Sequence, residues 1–472
     1  MPHPKMTPVD VQARIERPAS SRLNVVVVGA GLGGLGAAIS ILLAGHDVTV
    51  LEAAAEIGEV GAGIQVLPNS ARVLRSWGLE EDLLPYATAP RKANFIGWKG
   101  NHLSAMDYHV YGETLGSPFW DFHRANLHQC LLDRTTALGA VLKTDARVTG
   151  YTVSTDATTA TLALADGTTI TADLVVGADG INSTLREALL GHPDPPVLTG
   201  DLAYRLLLNT KDMEADPDLR PFLEDPQVNY WVGPGAHVVN YVLRGGELFN
   251  MVLLVPDDMP AGASTLAGNV DEMRALFKDW DPRIGKLLGL CESVTKWRLC
   301  IRPTLEPTWS DPSGTVTLLG DAVHATLPYL ASGAGMALED AGVLGLCLAK
   351  LADKAPAAKR RALQVYEACR KARTERVVAR GSYNQDMYHL HDGERQIQRD
   401  QLFREFELLD AKWMAAAAAR DEKLPVVEPK DESGQDPFPW RRFGVGQWLL
   451  TYEMKPDVER RWKEVVGEQG RC

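Results

Sequence analysis

Three short stretches of this chain hold residue types whose spacing could do chemistry. Gly29-Ala30-Gly31-Leu32-Gly33-Gly34 has the G-x-G-x-x-G spacing, and Glu52 follows 18 residues after Gly34. The first glycine permits a tight turn, the second lets backbone approach a pyrophosphate, and the third lets a helix pack close to a strand. A carboxylate at the end of the next strand accepts hydrogen bonds from a ribose. The second stretch is Asp179-Gly180-Ile181-Asn182-Ser183, where Asn182 or Ser183 suits a helix N-cap. The third is Gly320-Asp321-Ala322-Val323-His324, followed by Pro328 and Gly333-Ala334-Gly335. A strand-end aspartate and a glycine-rich helix start suit a polyhydroxyl chain and an electron-rich ring edge.

The elements that must position these stretches are legible around them. Asn24 to Gly29 is a β-branched apolar run, Leu35 to Leu43 has helical spacing, and His46 to Leu51 reads as a second strand. Strand, helix, strand is the start of a parallel sheet. Residues 85–120 read as irregular, Arg124 to Leu138 as a helix, and 148–172 as a strand meander turning at Asp166-Gly167. Asp173 to Gly177 and Val316 to Leu319 are two more buried strands, so all three stretches fall at strand ends, where open parallel sheets bind ligands. Between about 196 and 300 the pattern changes to Ala203 to Leu208, Val228 to Val232, Val238 to Leu243 and Leu248 to Val255, an inserted antiparallel sheet, then a helix near Asp271 to Asp279. Gly333 to Leu351 reads as a helix. From Pro356 the chain is helical and charged, with nine Lys/Arg against three Asp/Glu over residues 351–380, as expected of a solvated helix face. Residues 421–437 read as a mobile linker and Trp440 to Trp462 as an aromatic tail segment.

Composition narrows the class. A chain of 472 residues, 45% apolar and 23% charged, can bury a large core and is neither disordered nor a disulfide scaffold. The net charge of −12 argues against nucleic acid as a partner. Six scattered cysteines, the closest pair nine positions apart, form no metal or redox pattern and suit a reducing, cytoplasmic setting. No run of about 20 apolar residues offers a membrane span. The first 22 residues read as a frayed tail.

Together these residues resemble the single-component FAD-dependent aromatic hydroxylases, the group A flavoprotein monooxygenases, nearest to the salicylate-hydroxylase-like branch with its fungal phenol-modifying members. The resemblance runs from about Leu23 to Asp400. It implies an α/β fold: a Rossmann-type FAD-binding domain with a parallel sheet (23–195 and 301–350), an inserted antiparallel-sheet substrate domain (196–300), C-terminal helices (351–420), and a linker and tail (421–472). It implies FAD held at Gly29, Gly31, Gly34 and Glu52 for the adenosine half. Asp179 and Gly180 would touch both FAD and NAD(P)H, and Asp321 the ribityl chain. Gly333, Ala334 and Gly335 would face the flavin ring. Ala62 and Gly63, in Gly61-Ala62-Gly63-Ile64, match the family's flavin-flanking loop, Arg124 its FAD-contacting arginine, and Pro328 its active-site lining. Ala325, Ser332 and Gly335 depart from the residues common there, which bears on the substrate pocket and not on FAD binding.

In phenol-dearomatising fungal relatives an arginine and a tyrosine hold and activate a phenolate; Arg205 and Tyr241 stand at matching places. The implied reaction takes NAD(P)H and O2 and hydroxylates an electron-rich phenolic ring through a flavin C4a-hydroperoxide. The same flavin chemistry on an indole or an alkene, a non-oxygenating flavoprotein reductase, and a plain NAD-dependent dehydrogenase stay open as alternatives, the last explaining only Gly29 to Glu52. His324 reads as a packed histidine. His389 and His391 lie in a polar helical segment with no third partner in the sequence.

Overall fold

In the computed structural model, which describes residues 3–4, 6–58, 61–303, 307–420 and 436–469, five parallel strands form the first sheet. Their order is Val316–Leu318, Leu174–Gly177, Asn24–Val28, Asp47–Leu51 and Val141–Lys143. Val25, Val26 and Val27 are fully buried, as a strand covered on both faces must be. Helix Leu32–Leu43 lies against helix Gly333–Ala349, and the contact is close because Gly345 faces Ser40: a Cβ on Gly345 would stand 1.9 Å from the Ser40 hydroxyl. The meander Val148–Val153, Ala160–Leu164, Thr169–Ala172 forms a separate three-stranded sheet.

The inserted region is part of an eight-stranded sheet. Its six strands between Val197 and Ile301 are joined by Lys92–Gly97 and His102–Asp107, from the stretch read as irregular. Lys92–Gly97 runs parallel to Gln227–Gly233, with Ala93 opposite Val228 and Phe95 opposite Tyr230. The sheet has two buried faces, and alternation assigns each side chain. Leu202, Tyr204 and Leu206 enter an outer core closed by helices Val270–Leu276 and Pro282–Gly289. Ala203 and Arg205 turn to the opposite face, toward a cavity shared with the first sheet.

Three segments are tied down more firmly than their composition suggests. Residues expected to fray run along the first domain: the Gln12 amide donates to Ser76 O at 2.8 Å and the Ile15 amide to Leu43 O at 2.8 Å. Arg17 is buried and donates to the carbonyls of Ala44 and Leu351 at 2.6 Å each and to Leu348 and Ala349, closing two helix C-termini. Helix Pro356–Tyr388 is not a solvated face throughout; Lys359 and Arg370 are fully buried, because their heads meet carbonyls and carboxylates inside the core. In the tail, Phe438 and Trp440 enter the core around Phe95, Tyr230 and Phe403, and buried Arg441 pairs with Asp436 at 2.7 Å. Residues 421–435, most of the expected linker, lie outside the described residues. Among the described residues no helix is long and apolar enough to cross a membrane.

Candidate functional site

The cavity, about 340 Å³, opens where the parallel sheet's carboxyl edge meets the eight-stranded sheet. One wall is the glycine turn. Gly29 has φ +103°, and a Cβ there would stand 2.3 Å from Ala178 O, so only glycine fits. Gly34 abuts the same turn: its Cβ would meet Gly29 O at 1.9 Å. Gly31 faces open space. The three glycines thus divide into turn, open approach and close packing as the spacing predicts. Glu52 holds the turn from the next strand, accepting from the Ala30 amide and the Ala54 amide at 2.9 Å each. Four lone-pair positions on the carboxylate leave room for further donors. His128, overlooked in the sequence, donates from Nε2 to Ala30 O at 2.7 Å and fixes the turn from the other side.

Two helix N-termini face the cavity without a side-chain cap. Helix Leu32–Leu43 begins after Gly31, and helix Gly333–Ala349 after Ser332; neither has an acidic residue in its first turn. Their first amides need an acceptor, and the dipole favours an anionic or electron-rich one. Gly31, Gly333 and Ala334 line the cavity, as do Ala62, Gly63, Arg124, Gly180, Asp321 and Pro328. Asp321 is exposed there, at the start of a short helix after Gly320 (φ +62°). Gly63 is held by Asn250, whose Oδ1 accepts its amide at 2.8 Å.

Gly29, Gly34, Glu52, Asp179 and Gly335 lie behind the lining. The Asp179 carboxylate accepts from the Ser183 hydroxyl at 2.5 Å and the Leu185 amide at 3.0 Å, and burial pushes it above the usual carboxylate range. Ser183 in turn caps helix Thr184–Leu190. Gly335 packs on Ser70.

The far wall is three adjacent strands. Arg205 lies opposite Val252, which lies opposite Val239; Ala203, Leu254 and His237 form the next row. His237, Val239 and Tyr241, two residues apart each, all point inward. Arg205 lies over the Trp297 ring, its guanidinium carbon 5.1 Å from the centroid. Burial pushes the Tyr241 hydroxyl well above the ordinary tyrosine range; the buried Asp121 adds to this and Arg205 opposes it. Tyr241 therefore faces the cavity as a neutral donor. Gln65 and Tyr230, also missed in the sequence, continue the wall, with Tyr230 Oη donating to Gln65 Oε1 at 2.9 Å.

Behind Gly320 and Gly333 stands a buried charge cluster. Asp340 accepts from His324 Nε2 at 2.5 Å, the Gly320 amide at 3.0 Å and Arg370 at 2.7 Å; Glu339 takes Arg370 at 2.7 Å, Arg373 at 2.8 Å and Asn69 at 2.7 Å. Burial alone would raise the Asp340 pKa, but His324 and Arg370 outweigh it and hold it at about 2. His324 is thus a packed anchor, and no cluster able to hold a metal occurs among the described residues. Asp340→Ala leaves a buried cation uncompensated and is expected to cost about 3–5 kcal/mol in urea unfolding. An unchanged midpoint contradicts this. Because the folded pKa lies below its ordinary 3.8, the Asp340 contribution is complete above that pH and fades as pH falls through about 2.

These features fit FAD: an open backbone approach at Gly31, two uncapped helix starts, and an exposed carboxylate between them. Comparison with known proteins agrees. Residues 22–381 match the family model described as FAD binding domain. The chain is 41% identical over 391 residues to the FAD-dependent monooxygenase OpS4 of Beauveria bassiana, covering 80% of this chain and 88% of that protein. It is 34% identical to 3-hydroxybenzoate 6-hydroxylase 1 of Aquipseudomonas alcaligenes, covering 78% and 91%. Among solved structures, a salicylate hydroxylase substrate complex superposes with a TM-score of 0.72 at 23% identity, covering 94% and 98%, which speaks to the fold alone.

Proposed function

Because this chain belongs to the FAD binding domain family and is an FAD-dependent monooxygenase, we propose that it hydroxylates an electron-rich phenol held as phenolate against Arg205 and Tyr241. The observation that carries the reading is that Arg205 and Tyr241 line the same cavity as Gly31, Asp321 and Ala334. FAD held there would supply, at the expense of NAD(P)H, the O2 activation and electrophilic oxygen that hydroxylation needs.

This chain's residues do the rest. Gly31 and the helix start after it receive the pyrophosphate, Glu52 the adenosine ribose, and Asp321 the ribityl hydroxyls. The amides after Ser332 would face the ring edge. Arg124, Ala62 and Gly63 would flank the ring, and Gly180 would border the path of NAD(P)H. Asp179 and Gly335 support that frame from behind. Arg205 carries a permanent charge for the phenolate, and its guanidinium carbon lies 5.1 Å from the Trp297 ring centroid. Tyr241 donates a hydrogen bond to the same oxygen. Val239, Val252, Leu254 and Ala203 form an apolar floor that keeps water from the reacting ring. The likeness to a 3-hydroxybenzoate 6-hydroxylase, aligned over 91% of that protein, supports the substrate class. Five free thiols among the described residues suit a cytoplasmic setting.

Glu52→Ala is expected to weaken FAD binding by about 1–3 kcal/mol, since it removes both an acceptor for ribose and the clamp on the Ala30 amide. Titration of apoprotein with FAD checks this; an unchanged Kd contradicts the assignment. A screen of phenols and indoles for stimulated NAD(P)H oxidation, with product analysis, tests the function itself. Hydroxylated phenols are expected, and oxidation stimulated by indoles alone overturns the phenolate reading.

A further inference from the structure

A second hollow, about 910 Å³, shares no lining residue with the cavity of Arg205 and Tyr241. Its floor is helix Pro68–Ser76, which brings Asn69, Arg72, Val73 and Ser76 to it at the i, i+3, i+4, i+7 spacing of one helix face. Its roof is the N-terminal arm. The Thr7 amide donates to Gly116 O at 3.1 Å and the Gln12 amide to Ser76 O at 2.8 Å, so Pro8, Val9 and Asp10 bridge the hollow between two fixed ends. Arg75 secures one of those ends, donating to Thr7 O at 2.8 Å. Leu115, Leu346, Met414 and Met454 supply apolar walls from separate parts of the chain.

Arg72 is the cation of this floor. It donates from Nη1 to Tyr452 O at 3.0 Å and from Nη2 to Leu450 O at 2.8 Å. The acids that influence it, Glu453 and Glu339, do so through space and not as ion-pair partners. Burial pushes Arg72 below the usual guanidinium range; Glu453 and Glu339 oppose this, and Arg75 and Arg373 add to it. The guanidinium keeps N–H groups for a further acceptor. An anion placed there offsets both its desolvation and the repulsion of the neighbouring arginines.

We propose that this hollow is a second ligand site and takes an apolar monocarboxylate, its carboxylate on Arg72 and its hydrocarbon body among Val73, Leu346, Met414 and Met454. The inference stands apart from the phenolate reading. A planar carboxylate matches the guanidinium fork. Asp10, Glu113 and Glu453 line the hollow too, but they are exposed. Water and salt screen such charges, so the partly buried Arg72 decides the sign of what binds inside. The acidic mouth in turn disfavours polyanions such as phosphate esters. The site adjoins the FAD frame: Asn69 donates to Glu339 at 2.7 Å, Ser70 packs on Gly335, and Leu346 belongs to helix Gly333–Ala349.

The test is calorimetric titration of the FAD-loaded full chain with decanoate and with 2-naphthoate, an aliphatic and an aromatic source of the same chemistry, each beside its uncharged amide. At least one acid is expected to bind saturably and more tightly than its amide, and the tighter acid identifies the source. Arg72→Gln should weaken that binding roughly 10- to 100-fold, on the scale of a lost charge-assisted hydrogen bond. Leu346→Trp fills the hollow and leaves Arg72 in place, so it should abolish binding, and it decides the matter if Arg72→Gln fails to fold. Arg205→Ala should keep the site with unchanged Kd. The proposal is overturned if neither acid binds, if the amides bind as well as the acids, or if Leu346→Trp binds like the parent. It is overturned equally if folded Arg72→Gln keeps the parent Kd, or if Arg205→Ala loses the site, which would place the acid in the flavin cavity.

Discussion

Arg205→Ala is expected to lower product formation roughly 100-fold or more while FAD content stays at the parent level, on the scale of losing a preorganised charge partner. Arg205 sits in the strand Val197–Asn209, two strands away from the one that carries Tyr241, and that strand pairs with Leu248–Pro256 and Val294–Ile301 rather than with the sheet of the FAD frame. Its removal should leave the phenol un-ionised and a poor nucleophile. Arg205→Lys keeps the charge but loses the planar fork, so it should be partly active. Tyr241→Phe removes one donor and no charge and should lose less. Product assays beside flavin spectra decide the matter. Parent-rate turnover in Arg205→Ala removes the residue from the reaction, and loss of FAD or of folding makes it a structural partner instead.

Gly34→Ala should yield colourless, less stable protein, with FAD affinity lowered by roughly 100-fold or more, about 2.7 kcal/mol. The new methyl would stand 1.9 Å from Gly29 O and 3.4 Å from the Ala178 Cβ. Backbone cannot yield as a side-chain tip can, so helix Leu32–Leu43 must lift from the strand, and its first amides leave the place where the pyrophosphate docks. Gly31→Ala is the informative contrast. Nothing lies within 4 Å of its Cβ, so the fold should tolerate it, yet the methyl fills space left for the ligand. FAD affinity should fall in both variants and Tm only in Gly34→Ala. Equal losses of Tm contradict the division of labour among the glycines.

The glycine turn was legible because its constraints are local: the three glycines and Glu52 all lie within one strand, helix, strand unit. The same holds for Ser183 as a cap and for the turn at Asp166-Gly167, where Gly167 has φ +86°. Long-range pairings were not legible. Lys92–Gly97 lacks a clean alternation and is held as a strand between its hairpin partner His102–Asp107 and the distant edge of Gln227–Gly233. His237 Nδ1 meets His389 Nε2 at 2.7 Å across 152 residues, so neither announces the other. Arg370 and Arg373 read as surface charge because their partners, Glu339 and Asp340, lie on another helix. Phe438 and Trp440 likewise looked like a tail until the core around Phe95 took them in.

Turnover under oxygen-18 gas, with mass analysis of the product, shows whether this chain oxygenates a phenol. One labelled oxygen is expected on the phenolic ring for each NAD(P)H consumed in coupled turnover, and that label should be lost in Arg205→Ala. NAD(P)H oxidation that gives only labelled hydrogen peroxide, with every phenol tried and the ring unlabelled, would contradict that expectation.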